Sequence, residues 1–590
     1  MKPNCIDALL IRIKFNPFFE QAKIADESIG LLSIATYCRD AHFNVRVLND
    51  PQINIEFIED IIKVDKVGVI GFFVDADNVW TTLSLIDILK ENFPHVICVV
   101  GGPQISAPPW DEKVVTQSKC NFAVRGEGEK PFLQLLQLIK LGKTNYSEIK
   151  GITFVVNGAI TRTPDDVPFN LDEAPIPDRT LTYFPSVPTG IETMYTSKGC
   201  PYHCAFCFEG IRGHGYRMRS VEEVIKEVEY LLVERKMRYL LIMDNLFTFD
   251  VSRTIEICRQ FIRLQHKHHN FGWYCEGRAN IIKKNPQLIR EMIDSGLLRL
   301  QIGIESGSQN VLNHYEKALS LDDIRDTVKL CYDAGLASIV GNFIVGGPFE
   351  TKDTIHQSIT FAQELLELAP GCLDLTVSIY GPYPSTNMYL YPEKFGITMI
   401  DKDCITGAAM DYVFSCTDEL SKWDILKAKG EFITEIELKI SSLLSFVPNE
   451  RMIKHFKILY DLGLYTMWVK VASRLRSYNN YFGSIAGDGK KTFVEVFENI
   501  ELYKPIRTIP IRDGDKNGIK IILDNKKELL FSDLSSRIYE LCSGKILTRQ
   551  IIDMLYYENQ EQIERVVIKE YLITFLEMLD KERLVIFSKI

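Results

Sequence analysis

A chain of 590 residues is too long for one hydrophobic core, which stops growing at roughly 250–300 residues, so several domains are expected. Its 46% apolar and 25% charged content is that of an ordinary globular protein, and a net charge of −10 argues against a general nucleic-acid binder. The opening MKPNCIDALLIRIKF lacks the apolar stretch of a secretory signal, no apolar run approaches the roughly 18 residues of a membrane span, and the fourteen scattered cysteines read as reduced thiols, so a cytoplasmic protein is expected.

Residues 1–160 alternate short apolar runs with amphipathic stretches. DALLIRI, NVRVLN, VGVIGFF, VICVV and NFAVRG read as strands; GLLSIATYCRD, IEFIEDII, TTLSLIDILKENF and KPFLQLLQLIKLG have helical spacing. The alternation predicts an α/β domain with a doubly wound parallel sheet, whose ligands bind at the carboxyl ends of the strands. Two glycine-rich turns follow strands there: Gly101-Gly102-Pro103-Gln104 and Gly126-Glu127-Gly128-Glu129. Residues 161–190 are rich in proline and acid and read as a linker.

A second alternating segment spans 191–395. Its strands, ETMYTSK, YLLIMD, FGWYCEG, LRLQIGI, SIVGNFIVG and LDLTVSIYG, with intervening helices, predict a partial (β/α)6 barrel that works at its carboxyl edge. Ser220 and Glu223 form a candidate capping box for its first helix. Residues 396–515 read as a mainly helical extension, irregular beyond 480, and 516–590 as a small unit of two strands, three helices and a closing VIFSK strand.

One cysteine cluster is tight. In Ser197-Lys198-Gly199-Cys200-Pro201-Tyr202-His203-Cys204-Ala205-Phe206-Cys207, three thiols fall on one loop after a predicted strand. Three thiolates so spaced can hold three irons of a four-iron cluster and leave one iron open. Zinc would want a fourth ligand, and His203, adjacent to Cys204, is awkward as one. Plain structural cysteines are the remaining alternative.

CPYHCAFC resembles the signature of the radical S-adenosylmethionine (SAM) enzymes, CxxxCxxC with an aromatic before the last cysteine. The resemblance continues through MDNLF at the second strand, Glu276-Gly277-Arg278-Ala279-Asn280 at the third, Gly303-Ile304-Glu305-Ser306-Gly307-Ser308 with Lys317 at the fourth, Gly346-Gly347-Pro348-Phe349-Glu350-Thr351 at the fifth and PYPST at the sixth. It implies a [4Fe-4S] cluster on Cys200, Cys204 and Cys207. It further implies SAM held by Phe206, Asp244, Arg278, Glu305, Ser306, Gly346 and Gly347, and reductive cleavage of SAM to a 5′-deoxyadenosyl radical. A reductant protein such as flavodoxin or ferredoxin would supply the electron. The plainer readings are a strand-end carboxylate for Glu305 and an ion-pair partner for Arg278.

The first segment resembles the cobalamin-binding domains that precede many such enzymes, which assigns Gly101, Gly102, Pro103, Gln104, Gly126 and Glu127 to cobalamin. The DxHxxG motif of cobalamin mutases is absent; Asp75-Ala76-Asp77-Asn78 stands where it would fall. Cobalamin is then bound without a protein histidine, or the domain is empty. With cobalamin, methyl transfer to an unactivated carbon is the leading chemistry.

The tail, with Cys542-Ser543-Gly544-Lys545 before a helix starting at Thr548, resembles winged-helix modules that recognise leader peptides of ribosomally made natural products, which implies a precursor peptide as partner. A structural winged helix is the alternative. The rival functions are a radical cyclase or oxidative modifier with a vestigial first domain, and a non-catalytic leader-peptide scaffold. His266, His268 and His269 read as a solvated helix end, and Cys275 as strand core.

Overall fold

The computed structural model describes residues 5–13, 28–48, 55–168, 170–184, 188–209, 215–400, 412–511, 519–522, 528–531, 533–559 and 563–589. The chain divides into one unit of Met1–Ala369 with Leu375–Ile436, and a second of Pro370–Asp374 with Glu437–Ile590. No helix among the described residues is long and apolar enough to cross a membrane.

The first unit holds two large sheets. The first comprises β1 (Ala8–Arg12), β2 (Val45–Leu48), β3 (Val69–Phe73), β4 (Ile97–Gly101), β5 (Phe122–Val124), β6 (Ile152–Val156) and β7 (Ala159–Arg162), in the order β2-β1-β3-β4-β5-β6-β7. β1 to β5 run parallel, as the five predicted strands require. Their faces are covered on both sides. Leu32, Ala35, Leu135 and Leu136 of two helices seal one face; Ile58, Ile61, Ile86 and Val114 of three others seal the second. The order reverses between β1 and β3, which opens a crevice at the carboxyl edge. β6 and β7 add an antiparallel hairpin that the strand reading above lacks. Its signal is present in the sequence: Asn157-Gly158 between ITFVV and AITR, with φ of 50° and 79°, makes a two-residue primed turn.

The second sheet is built from β8 (Ile191–Met194), β11 (Tyr239–Ile242), β12 (Gly272–Gly277), β13 (Leu297–Glu305), β14 (Ser338–Val345) and β15 (Leu373–Ile379), in the order β15-β14-β13-β12-β11-β8. β8 to β14 pair in parallel, with helices between successive strands. These are the six strands expected of the partial barrel. A short antiparallel ribbon, β9 (Ser197–Lys198) with β10 (Arg217–Met218), brackets the cysteine loop. At the first helix Ser220 Oγ accepts the Glu223 N–H at 3.3 Å, half of the predicted capping box. At its neighbour's end, His268 pairs with Glu229 at 3.0 Å.

The segment between the sheets is fastened to both. Asp178 N–H donates to Thr36 Oγ1 at 2.9 Å, Arg39 pairs with Asp178, and Tyr183 N–H donates to the Val47 carbonyl at 2.7 Å. On the other side Arg179, 1% exposed, pairs with Glu192 of β8 at 3.0 Å and lies 3.7 Å from Glu227. Arg235 pairs with Glu192 at 3.0 Å and Arg219 with Glu227 at 2.5 Å. Buried ions cost several kcal/mol each unless paired, so this network holds only while complete.

In the second unit Phe493, Val496 and Ile500 join the C-terminal elements in a shared hydrophobic core. Helices Asn449–Leu462, Met467–Ala472 and Arg476–Asp488 lead to a strand, Lys504–Arg507, which pairs antiparallel with the closing strand Val585–Ser588. Between them lie a hairpin, Ile519–Ile522 with Glu528–Phe531, and helices Asp533–Leu541, Thr548–Glu558 and Arg565–Lys581. The stretch beyond 480 thus contains ordered elements where the sequence shows no pattern, because the partner of Lys504–Arg507 lies at the far end of the chain.

Arg179→Met should lower the stability of the first unit by about 3 kcal/mol, since it strands Glu192 and Glu227 with fewer cations. The measurement is the urea midpoint of that unit's transition; an unchanged midpoint would show the network to be dispensable.

Candidate active site

The cysteine loop has little support of its own and is shaped from outside. Asp244, 1% exposed at the end of β11, accepts from Thr196 N at 2.6 Å, Thr196 Oγ1 at 2.5 Å and Ser197 Oγ at 2.7 Å. Burial pushes its carboxyl above the usual range, against the pull of those bonds. Gly199 adopts φ +82°, and a side chain there would strike the Gly215 carbonyl, so only glycine lets β9 and the segment before β10 close around the loop. Cys207 N–H donates to the Cys204 carbonyl at 2.9 Å, and Ala205 N–H to the Tyr315 carbonyl at 3.0 Å. The three thiols share this loop, but among the described residues no three His, Cys, Asp or Glu side chains are gathered at metal-binding distance.

Arg278 reaches the loop from the end of β12. Its guanidinium lies 3.8 Å from the Tyr202 ring centroid and donates toward Cys204 Sγ at 3.9 Å. Arg278 is 8% exposed, yet its Nε and Nη2 have no hydrogen-bond partner among the described residues. Burial raises the Cys200 thiol, while the nearby guanidinium pulls it down. Orphaned buried donors beside three thiols suit an anionic group: a cluster on three thiolates fits the site's charge and donor set.

The wall opposite is aromatic and charged. Phe206 meets Tyr315 edge-on at 5.2 Å, and Lys317 Nζ stands 5.7 Å from the Phe206 ring. Lys317 pairs with Glu305, both under a tenth exposed. Glu305 sits at φ +63°, where the β13–β14 register shifts, and that irregularity turns its carboxylate toward Lys317. Ser306 is fully buried, 3.1 Å from Ser358 Oγ. The Gly346 and Gly347 N–H groups donate to Glu350 Oε2 at 2.6 and 3.1 Å. Burial lifts Glu350 to about 8 despite those two donors.

The sequence-derived residues therefore separate. Cys200, Cys204, Cys207, Phe206, Arg278 and Glu305 share one edge of the barrel. Asp244 and Ser306 lie inside, behind it, and the Gly346 and Gly347 amides are turned to Glu350. A further group escaped the sequence reading as site residues: Glu276 accepts from Gln301 Nε2 at 3.0 Å, and Tyr274 OH donates to Gln301 Oε1 at 2.9 Å. Burial raises Glu276 to about 7. The signal is the two-residue period of Tyr274, Glu276 and Arg278, which puts all three on the barrel's inner face.

In the first domain Gly102, at φ +116°, lies so close to the Val74 carbonyl that no side chain fits. Gln104 N–H donates to Val74 O at 3.3 Å, with Pro103 in the same turn, and Ser106 Oγ bonds both the Gly102 carbonyl at 3.0 Å and the Gly126 N–H at 2.9 Å. Gln104 Nε2, Trp110 Nε1 and Thr82 Oγ1 are buried without a partner among the described residues, so this edge fits a polar ligand. Glu127 reaches across to Lys198 at 2.9 Å and Arg217 at 3.0 Å. Ser385 Oγ of the sixth-strand turn donates to Pro108 O at 3.4 Å. The carboxyl edges of the two sheets thus face one another.

Glu350 holds its proton far above the ordinary value of 4.5. Between those values the folded state binds more protons than the unfolded, so stability falls as pH rises from about 5 to about 8. Glu350→Gln should remove that decline, with its melting temperature gaining a few degrees on the wild type across the window in calorimetry. Parallel pH profiles would show Glu350 to be ionised throughout.

The Radical SAM superfamily domain matches residues 194–362, and the B12 binding domain residues 26–136. An uncharacterized methyltransferase of Pyrococcus horikoshii is 29% identical over 374 residues, 62% of this chain and 78% of that one. The anaerobic magnesium-protoporphyrin IX monomethyl ester cyclase of Rubrivivax gelatinosus is 23% identical over 61% of this chain, which spans 64% of that protein's length, less than two thirds. The cobalamin-dependent S-adenosylmethionine radical enzyme OxsB, solved with aqua-cobalamin and S-adenosylmethionine, shares the fold over 98% of this chain and 84% of its own, with a TM-score of 0.59 at 16% identity. The two domains imply a [4Fe-4S] cluster, SAM and cobalamin as cofactors of a radical SAM enzyme.

Proposed function

We propose that this radical SAM enzyme uses cobalamin to methylate an unactivated carbon of a ribosomally made precursor peptide, whose leader is gripped by the second unit. The observation that carries the reading is the placement of the cysteine loop, with the unsatisfied Nε and Nη2 of Arg278, and the Gly101–Gln104 turn on facing edges of two sheets in one unit. When bound, cluster and SAM supply the 5′-deoxyadenosyl radical and cobalamin the methyl group, chemistry beyond any side chain.

The chain's own residues bind and orient. Arg278 offsets the charge of thiolates on Cys200, Cys204 and Cys207. Phe206 with Tyr315 offers an aromatic wall suited to adenine, and the Lys317–Glu305 pair offers both signs of charge to a zwitterionic amino-acid end. Gln104 and the close backbone of Gly102 line the cobalamin edge. The Asp75–Asn78 turn contains no imidazole, so cobalamin is held without a histidine from that turn. Tyr274, Glu276 and Gln301 form a polar floor inside the barrel. A flavodoxin or ferredoxin supplies the electron.

The methyltransferase relative supports methylation. The peptide reading rests on the hairpin Ile519–Ile522 with Glu528–Phe531, a two-stranded sheet that pairs with no third strand among the described residues and whose Leu530 is 70% exposed, which suits strand addition. The cyclase relative favours a second reading, radical oxidation without methyl transfer. Mass spectrometry of candidate peptides incubated with reconstituted enzyme separates the two: gain of a CH2 against loss of two hydrogens.

Cys200→Ala should abolish the iron chromophore and the reductive cleavage of SAM; retained cleavage refutes the cluster assignment. Leu530→Asp should weaken binding of a fluorescent leader about tenfold, a loss of about 1.4 kcal/mol, and leave SAM cleavage intact. Unchanged affinity removes the peptide from the proposal.

A further inference from the structure

The cobalamin-side turn and the cysteine loop are joined by an unbroken path of contacts. The Gly102 carbonyl accepts from Ser106 Oγ at 3.0 Å, and Ser106 Oγ accepts from the Gly126 N–H at 2.9 Å. The next residue, Glu127, extends its carboxylate into the other domain. There it accepts from Lys198 Nζ at 2.9 Å and from Arg217 Nη2 and Nη1 at 3.0 and 3.3 Å.

Lys198 and Arg217 stand directly opposite each other in the β9–β10 ribbon. Two cations facing across a ladder repel, so the ribbon needs an anion between them. Glu127 supplies it, with its side chain 16% exposed; Glu129, held by Ser33 at 2.8 Å, adds a weaker contact to Lys198 at 3.9 Å. One residue, Gly199, separates Lys198 from Cys200, and it packs against the Gly215 carbonyl just before Arg217. The carboxylate thus fixes both strands that bracket the loop.

We infer that Glu127 is a positioning residue that couples the two cofactor sites, so that occupancy of the cobalamin turn orders the cysteine loop. The inference rests on reading that loop as the cluster site. A ligand that restrains Ser106 and Gly126 restrains Glu127, and through it the ribbon. Such coupling is reciprocal: an assembled cluster must tighten cobalamin binding by the same factor.

The test uses the full-length protein, reconstituted anaerobically, with hydroxocobalamin as probe. With the cluster kept oxidised, iron release to a chelator is timed with and without the probe, and probe affinity is titrated by absorbance with and without the cluster. In the wild type the probe should slow iron release about tenfold, and the cluster should tighten the probe by a like factor. In Glu127→Gln both factors should fall below about twofold. The exchanged pair Glu127→Lys with Lys198→Glu restores an ion pair and puts Glu opposite Arg217, so it should recover the coupling; it also decides the matter should Glu127→Gln not fold. Full coupling in Glu127→Gln, or none in the exchanged pair with both cofactors bound, overturns the inference. A wild type that binds both cofactors independently overturns it alone, whereas a wild type that assembles no cluster overturns the underlying function as well.

Discussion

A loop bearing three thiols buries little apolar surface beyond Ala205 and Phe206, and the rest of the site depends on how charge around it is held. Asp244 anchors the chain before Cys200 from below, Arg278 brings a cation from the side, and Glu127 closes the bracketing ribbon from another domain. All three are largely withdrawn from solvent, where an electrostatic contact is stronger than in water and a missing partner is costlier. The loop is therefore an electrostatic construction on an apolar scaffold. The strands and helices beneath it supply rigidity, through layers such as Leu240, Trp273, Cys275 and Leu300, but no side chain of those layers reaches the loop's chemistry.

The same principle joins the domains. The segment carrying Asp178 and Arg179 is a strap with hydrogen bonds to the first sheet at one end and a buried ion network to the second at the other. Apolar contact alone would leave two sheets free to slide; paired buried charges tolerate one arrangement, because any shift strands an ion. Facing carboxyl edges need that kind of fixing, since a cofactor on one edge acts on what is held at the other only while the distance is kept.

What was legible in the sequence was what local pattern encodes. Apolar runs such as VICVV and LRLQIGI gave the strands of both sheets, and CPYHCAFC, with the glycine turns after the strands, marked the edges that matter. What was not legible depends on residues far apart in the chain. Lys504–Arg507 is a strand because Val585–Ser588 pairs with it, and nothing in its own composition says so. Glu127 belongs to a turn that resembles a cobalamin-binding element, yet its carboxylate is engaged by Lys198 and Arg217, a partnership no spacing announces. Glu276 and Gln301 meet through strand register. The Asn157-Gly158 hairpin is the exception: its signal was local and sufficient.

The two turns at the first domain's edge also differ in what they leave unsatisfied. In the turn where a cobalt-ligating histidine would fall, Asn78 spends its amide on the Ile13 and Phe73 carbonyls and its oxygen on Asp75 N–H, while Asp75 accepts from Asp77 and Asn78. That turn is closed on itself. Beside it, after the adjoining strand β4, Gln104 Nε2 and Trp110 Nε1 are buried without partners among the described residues. Buried polar groups are left unpaired at a cost of about 1–3 kcal/mol each unless something binds them. The demand for a ligand in this domain therefore lies at the Gly101–Gln104 turn and on the helices that follow the two turns, where Trp110 and Thr82 stand, and a cofactor held there is positioned by the same turn that, through Ser106 and Glu127, leads to the cysteines.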